Sequence, residues 1–251
     1  MPPVEPALVL GGVTAARRFG RKQVTVLDGV SLEVWPGDVV AIVGARGAGK
    51  TTLLRVAAAI DRPAGGVVRL GAREIHSVSH GQRSEWRRRV AYVPKQWRVA
   101  HGKPAVDHVA LPLLADGVSV RTAMREAEEA LAWAGAGEHA HRHLPELPPA
   151  AATRVALARA LVQKPAVLLL DEPGMNTTTE ERVALLWLVR SMATLNPALA
   201  VLMTTLDTRG ATGASRTVLL VNGRLRGAAP RPADVVPFPA GRSPAIREPA
   251  S

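Results

Sequence analysis

The chain has 251 residues, 47% of them apolar, no cysteine and a formal net charge of +11. That length suits one sizeable α/β domain, with or without an inserted lobe. The lack of cysteine excludes disulfides, thiolate metal sites and cysteine nucleophiles, and no apolar run approaches the roughly 20 residues of a membrane helix. In chain order, short strands are predicted at residues 7–10, 31–34 and 39–43, with Asp28-Gly29 and Pro36-Gly37 as turns. A helix over 49–60 follows, and Pro63-Ala64-Gly65-Gly66 turns the chain into a strand at 67–70.

The stretch between the third strand and that helix carries chemistry. Gly44-Ala45-Arg46-Gly47-Ala48-Gly49-Lys50-Thr51-Thr52 fits G-x-x-x-x-G-K-[ST], with the strand before it and the helix after it that the motif requires. Its glycines let backbone N–H groups turn inward on a phosphate chain. Lys50 would neutralise β- and γ-phosphate oxygens, Thr51 would ligate Mg²⁺, and the helix N-terminus adds partial positive charge.

From about residue 84 strand signals give way to helical ones. Val120, Ala123, Met124, Ala127, Ala130, Leu131 and Ala134 share one helical face, and a second helix is predicted over 150–162. Residues 135–149, rich in Gly, His and Pro, read as a loop between them. Glu138, His139, His141 and His143 in that loop resemble a metal cluster, but the surrounding Pro and Gly favour a solvated loop. Residues 84–160 therefore form the expected helical lobe. A buried strand at 166–170 resumes the α/β pattern, and Thr178-Thr179-Glu180-Glu181 is a capping box for a helix reaching about 192. Buried strands at 199–203 and 217–221 follow, and Asn222-Gly223 turns the chain into Arg224-Leu225. Residues 228–251, rich in Pro, Ala and Arg, are expected to be a disordered tail after one domain spanning 1–227.

Leu168-Leu169-Leu170-Asp171-Glu172-Pro173 places two acids at the C-terminal end of a buried strand, where open α/β sheets hold their ligands. Asp171 is the natural Mg²⁺ partner, and Glu172 is the candidate general base for an attacking water. The charge permits a nucleic-acid partner, yet Lys occupies five sites and Arg the other 27 of 32, scattered apart from Arg83, Arg87, Arg88 and Arg89. An Ala- and Arg-rich background explains that distribution, so no specific nucleic acid is expected. The opening Met1-Pro2-Pro3-Val4-Glu5-Pro6 shows no signal-peptide pattern, and a cytoplasmic location is expected.

Phosphate loop, helical insertion and Leu-Leu-Leu-Asp-Glu-Pro, in that order, resemble the ATPase subunit of an ATP-binding-cassette (ABC) transporter over residues 7–227. Residues 107–114, Asp-His-Val-Ala-Leu-Pro-Leu-Leu, resemble the lipoprotein-release and macrolide-export type. The resemblance implies a P-loop NTPase (RecA-like) core with an antiparallel β subdomain and an inserted α-helical lobe. It implies ATP and Mg²⁺ as cofactors, a dimer of ATP-binding subunits enclosing two ATP molecules, and a transmembrane permease subunit at the inner face of the membrane. Phe19, 25 residues before Gly44, stands where the family stacks an aromatic on adenine, and core packing is its other reading. Trp86 and Trp97 dock a membrane subunit by analogy, or are core.

Several family motifs are altered. Leu147-Pro148-Pro149-Ala150-Ala151 aligns with Leu-Ser-Gly-Gly-Gln, removing two N–H donors, the serine and the glycines. Leu206 replaces the switch histidine and Thr178 the last aspartate of the loop after Glu172. Lys95 occupies the ungapped glutamine position, with Gln96 one residue late, so a one-residue shift makes Gln96 a Mg²⁺ contact. A homodimer carries these changes in both pockets, whereas an intact partner signature repairs one pocket of a heterodimer. The expectation is ATP binding with weak hydrolysis unless paired. A non-hydrolysing regulatory subunit and a DNA-associated ATPase of similar fold are the alternatives.

Overall fold

The computed structural model describes residues 5–20, 22–75, 85–86, 88–97 and 102–227. The expected tail, the Phe19 side chain, Arg83 and Arg87 lie outside the described residues. Two sheets and a helical lobe make up the fold. The smaller sheet is antiparallel, in the order β2 (Lys22–Val34), β1 (Leu8–Phe19), β4 (Gly65–Leu70), β5 (Arg73–Glu74). The larger contains β3 (Val39–Val43), β6 (Val90–Val93), β7 (Val167–Asp171), β8 (Ala200–Thr205), β9 (Arg216–Val221) and β10 (Arg224–Arg226). Its order is β10-β9-β3-β8-β7-β6, parallel throughout except for the β10 hairpin.

Alternation within the buried strands builds two cores. Val40, Ile42, Val167, Leu169, Ala200 and Leu202 face α1 (Lys50–Ala57) and the small sheet, with Leu8, Leu10, Leu27 and Leu32 from the latter in the same cluster. Val39, Ala41, Leu168, Leu170, Val201 and Met203 face α5 (Thr179–Leu195), which contributes Leu185, Leu186, Val189 and Met192. Continuous apolar runs covered on both faces are what central parallel strands require.

The lobe has its own apolar cluster, made by α2 (Ala105–Ala115), α3 (Val120–Trp133) and α4 (Pro149–Leu161). Ala123, Ala127 and Leu131 of α3 are fully buried there, following the predicted face. The expected loop contains two single 3₁₀ turns, Gly137–His139 and Leu144–Glu146. Val90–Val93, expected within the helical stretch, is instead the edge strand of the large sheet. Four residues are too few to announce a strand, and pairing with β7 supplies the missing incentive. The outer ends of β1 and β2 also exceed the predicted strands, because Arg17, Arg18, Gln23 and Thr25 pair across a solvated ribbon with bulges that break the apolar alternation. No helix among the described residues is long and apolar enough to cross a membrane.

Pro112 sits inside α2 and lacks the N–H that would bond the carbonyl four residues back, at His108. The Arg159 guanidinium of α4 donates to that oxygen at 2.6 Å, tying the two helices together. His108 is itself buried. Arg159→Met is therefore expected to lower unfolding stability by about 1–3 kcal/mol, the typical cost of an orphaned buried acceptor. Pro112→Ala in the same chain restores an N–H and recovers part of the loss, which denaturant titration of the single and double variants measures.

Candidate nucleotide site

The glycine loop has close contacts that exclude side chains. Gly49 has φ +104°, and a Cβ there would lie 2.8 Å from the Val26 carbonyl oxygen and 2.9 Å from Leu27 Cδ2. At Gly44 a Cβ would lie 2.7 Å from the Leu220 carbonyl oxygen. The loop thus wraps the N-terminus of α1 tightly between the small-sheet ribbon and β9. Lys50, the first residue of α1, is 4% exposed, and its ammonium donates to the Gly44 carbonyl at 2.6 Å and the Ala45 carbonyl at 3.0 Å.

Across from it, β7 ends at Asp171 and Glu172 follows. The register of β7 against β8 sets Thr204 beside Asp171. The Thr204 hydroxyl donates to Asp171 Oδ1 at 3.0 Å and accepts from the Glu172 N–H at 3.1 Å. Asp171 Oδ2 accepts from the Thr51 hydroxyl at 2.8 Å and from the Tyr92 hydroxyl at 3.3 Å. Asp171 is therefore buried but fully engaged, the condition for keeping a carboxylate in a core.

Glu172 occupies the left-handed region at φ +48°, which costs a residue with a Cβ about 1–2 kcal/mol. Its carboxylate pairs with Lys50 through Oε1 at 3.1 Å and with Lys95 through Oε2 at 2.6 Å. Burial pushes the Glu172 carboxyl up, but Lys95 and Lys50 outweigh it and hold the group below its ordinary range. Burial and then Asp171 push the Tyr92 phenol up, which keeps it a hydrogen-bond donor.

These groups open on a cleft of about 860 Å³. Arg17, Val24, Thr25 and Val26 form the ribbon wall, and Arg46, Gly47, Gly49, Thr51 and Thr52 line the glycine-loop side with Lys50, Lys95 and Glu172. Ala48 packs against the core. Phe19 ends β1, beside that wall in sequence, and its side chain lies outside the described residues. Of the two residues competing for the glutamine position, Lys95 reaches the cleft and contacts Glu172. Gln96 is exposed and lines an adjoining cavity of about 480 Å³, which Lys95, Asp171 and Glu172 also line.

The altered motifs are placed as follows. Pro148 caps α4 and Pro149 opens it, with no side-chain cap. Thr178 caps α5: its hydroxyl accepts from the Glu181 N–H at 3.2 Å, and Glu181 Oε2 accepts from the Thr178 N–H at 2.9 Å. Leu206 follows the end of β8, half-buried. Among the described residues no cluster of three metal-type side chains forms, and that holds for the His139 loop. Sequence reasoning missed Thr204 and Tyr92, whose only signal is a polar atom near the C-terminal end of an otherwise apolar strand.

The chain matches the ABC transporter family over residues 27–175. It is 36% identical to the lipoprotein-releasing system ATP-binding protein LolD 1 of Rhodospirillum rubrum, over 78% of this chain and 92% of that one. It is 36% identical to a macrolide export ATP-binding/permease protein MacB of Syntrophobacter fumaroxidans, over 66% of this chain and 24% of that larger protein. Among solved structures, a dimeric ATP-binding cassette in a post-hydrolysis state bound to ADP and Pi superposes with a TM-score of 0.80. It is 25% identical and is covered over 96% of its length by 87% of this chain. None of these relatives supports a regulatory or DNA-associated alternative.

Thr204→Val keeps the shape of the side chain but removes an acceptor from the Glu172 N–H and a donor to Asp171. A loss of about 1–3 kcal/mol in stability is expected for the unsatisfied groups. Thermal unfolding checks this, and Thr204→Ser, which keeps the hydroxyl, is expected to fall between the two.

Proposed function

We propose the detailed function from a settled premise: this chain belongs to the ABC transporter family. It is an ATP-binding subunit of such a transporter and an ATPase, coupling nucleotide turnover to transport. The observation that carries the finer reading is the meeting of Lys50, Thr51, Asp171 and Glu172 at one edge of the parallel sheet. The nucleotide is ATP with Mg²⁺. Thr51 and Asp171 offer a hydroxyl and a carboxylate, hard oxygen donors 2.8 Å apart, and these suit Mg²⁺. The ion would supply charge neutralisation on the phosphates.

The glycine-loop amides and Lys50 bind the phosphate chain, and the cleft between ribbon and loop takes the nucleoside. Glu172, ionised under ordinary conditions, accepts a proton from water as the water oxygen bonds to the γ-phosphorus. The bond from that phosphorus to the bridging oxygen breaks, giving ADP and phosphate.

The working unit is a dimer of ATP-binding subunits on the inner face of a membrane, driving a transmembrane permease subunit. Names of the relatives point to lipoprotein release or macrolide export as the transport class. Pro148, Pro149 and Leu206 withhold polar contacts from the bound γ-phosphate, and each such contact is typically worth about 100- to 1000-fold in rate. A homodimer therefore binds ATP and turns it over slowly, and a partner with an intact signature raises the rate at the Lys50 pocket.

Two measurements of phosphate release test this. Glu172→Gln is expected to abolish the wild-type rate while nucleotide binding persists; equal rates in the two proteins would remove Glu172 as the base. Leu206→His is expected to raise the rate at least tenfold by restoring a polar contact at the strand end. An unchanged rate would assign the slow turnover to the proline-bearing loop.

A further inference from the structure

Lys95 lies two residues past the end of β6, on the sheet edge that also carries Asp171 and Glu172. It holds one oxygen of the Glu172 carboxylate while Lys50 holds the other, so two cations share a single buried acid. The Glu172 side chain is 7% exposed, whereas that of Lys95 is 30% exposed and on the cleft wall. An ammonium carries three donors, and among the described residues Glu172 is the acceptor of this one, which leaves two for an anion in the cleft. A four-carbon stem with rotatable bonds lets the charge move between neighbouring acceptors without moving the backbone.

The same contact has a cost for catalysis. Oε2, the oxygen that Lys95 holds at 2.6 Å, and Oε1, held by Lys50, are the only two basic atoms Glu172 can offer to water. With an ammonium on each, both oxygens keep a second lone pair but are weaker proton acceptors, so the base is partly masked. A terminal phosphate reached by Lys50 lies beside Glu172, because Lys50 and Glu172 are themselves in contact. Its oxygens carry more charge than one carboxylate and compete for the Lys95 ammonium.

We propose that Lys95 is both a γ-phosphate ligand and a latch on Glu172. ATP on the glycine loop draws the Lys95 ammonium onto its terminal phosphate, and the departure of that ammonium unmasks Oε2 as the proton acceptor. ADP lacks the terminal phosphate and leaves the latch closed, so the base is fully exposed only when there is something to cleave. This rests on the nucleotide reading of the cleft. It also gives the pocket a cation in cis that offsets the contacts withheld by Leu206 and the proline pair.

The test is equilibrium binding of ATP and ADP in the presence of EDTA, which removes divalent cations from the comparison. Wild type, Lys95→Gln, Lys95→Met and Lys95→Arg are measured. Wild type is expected to prefer ATP. Lys95→Gln and Lys95→Met are expected to lose ten- to a hundredfold in ATP affinity with ADP affinity unchanged, the range for a hydrogen bond between charged groups. Lys95→Arg, which keeps the charge, restores most of the preference. A purely structural role for Lys95 moves both nucleotides together; that result, or an ATP-to-ADP ratio untouched by Lys95→Gln, overturns the proposal. Wild-type protein that binds neither nucleotide overturns the nucleotide reading itself.

Discussion

One buried carboxylate, that of Glu172, is kept ionised just past the end of a fully buried strand, and much of the surrounding structure serves that requirement. An isolated charge there would be prohibitively costly. Lys50 and Lys95 compensate it directly, and Thr204 ties down its backbone N–H. The left-handed backbone at Glu172 is tolerated because these partners over-determine its position, which is how strained residues persist at working sites. Asp171, one residue earlier, has the complementary arrangement: three hydroxyl donors and, among the described residues, no direct cation. Two adjacent acids are thus separated into different roles by their neighbours, one facing hydroxyls suited to a divalent ion, the other facing ammonium groups.

The parallel sheet makes this arrangement possible at small expense. β3, β8, β7 and β6 all run the same way, so their C-terminal ends deliver the glycine loop, Thr204, Asp171-Glu172 and Lys95 to one edge. Each strand needs to specify only its own register for the groups to meet. Alternate residues face two different apolar layers, and a slip of one residue would exchange those layers, so the register that buries the apolar side chains is the one that brings these polar groups together.

Much of this is legible in the sequence. The phosphate loop, the Asp171-Glu172 pair, the buried strand runs and the capping box at Thr178 are local signals, each set by spacing within a few residues. What escaped is non-local or solvated. Beyond its bulges the β1–β2 ribbon pairs solvated residues in continuous register, so no apolar alternation marks its outer half. β6 is too short to be recognised without the strand beside it. Thr204 and Tyr92 acquire their function only through register with β7, which no single stretch of sequence encodes. Lys95 sits in the position where a glutamine is the familiar residue, and its pairing with Glu172 spans 77 positions of chain.

The cleft has walls from two sheets: the ribbon supplies Arg17 and Val24 to Val26, while the loop, Lys50 and Glu172 belong to the parallel sheet and its helix. The same apolar layer that holds the sheets together, with Leu27 packed against the glycine loop, therefore sets the distance between the ribbon wall and the glycine-loop wall. Occupancy and cohesion become thermodynamically linked quantities. A ligand that spans both walls acts as a clamp across the domain, and a volume change deep in that layer appears at the bench as altered affinity although it touches no ligand.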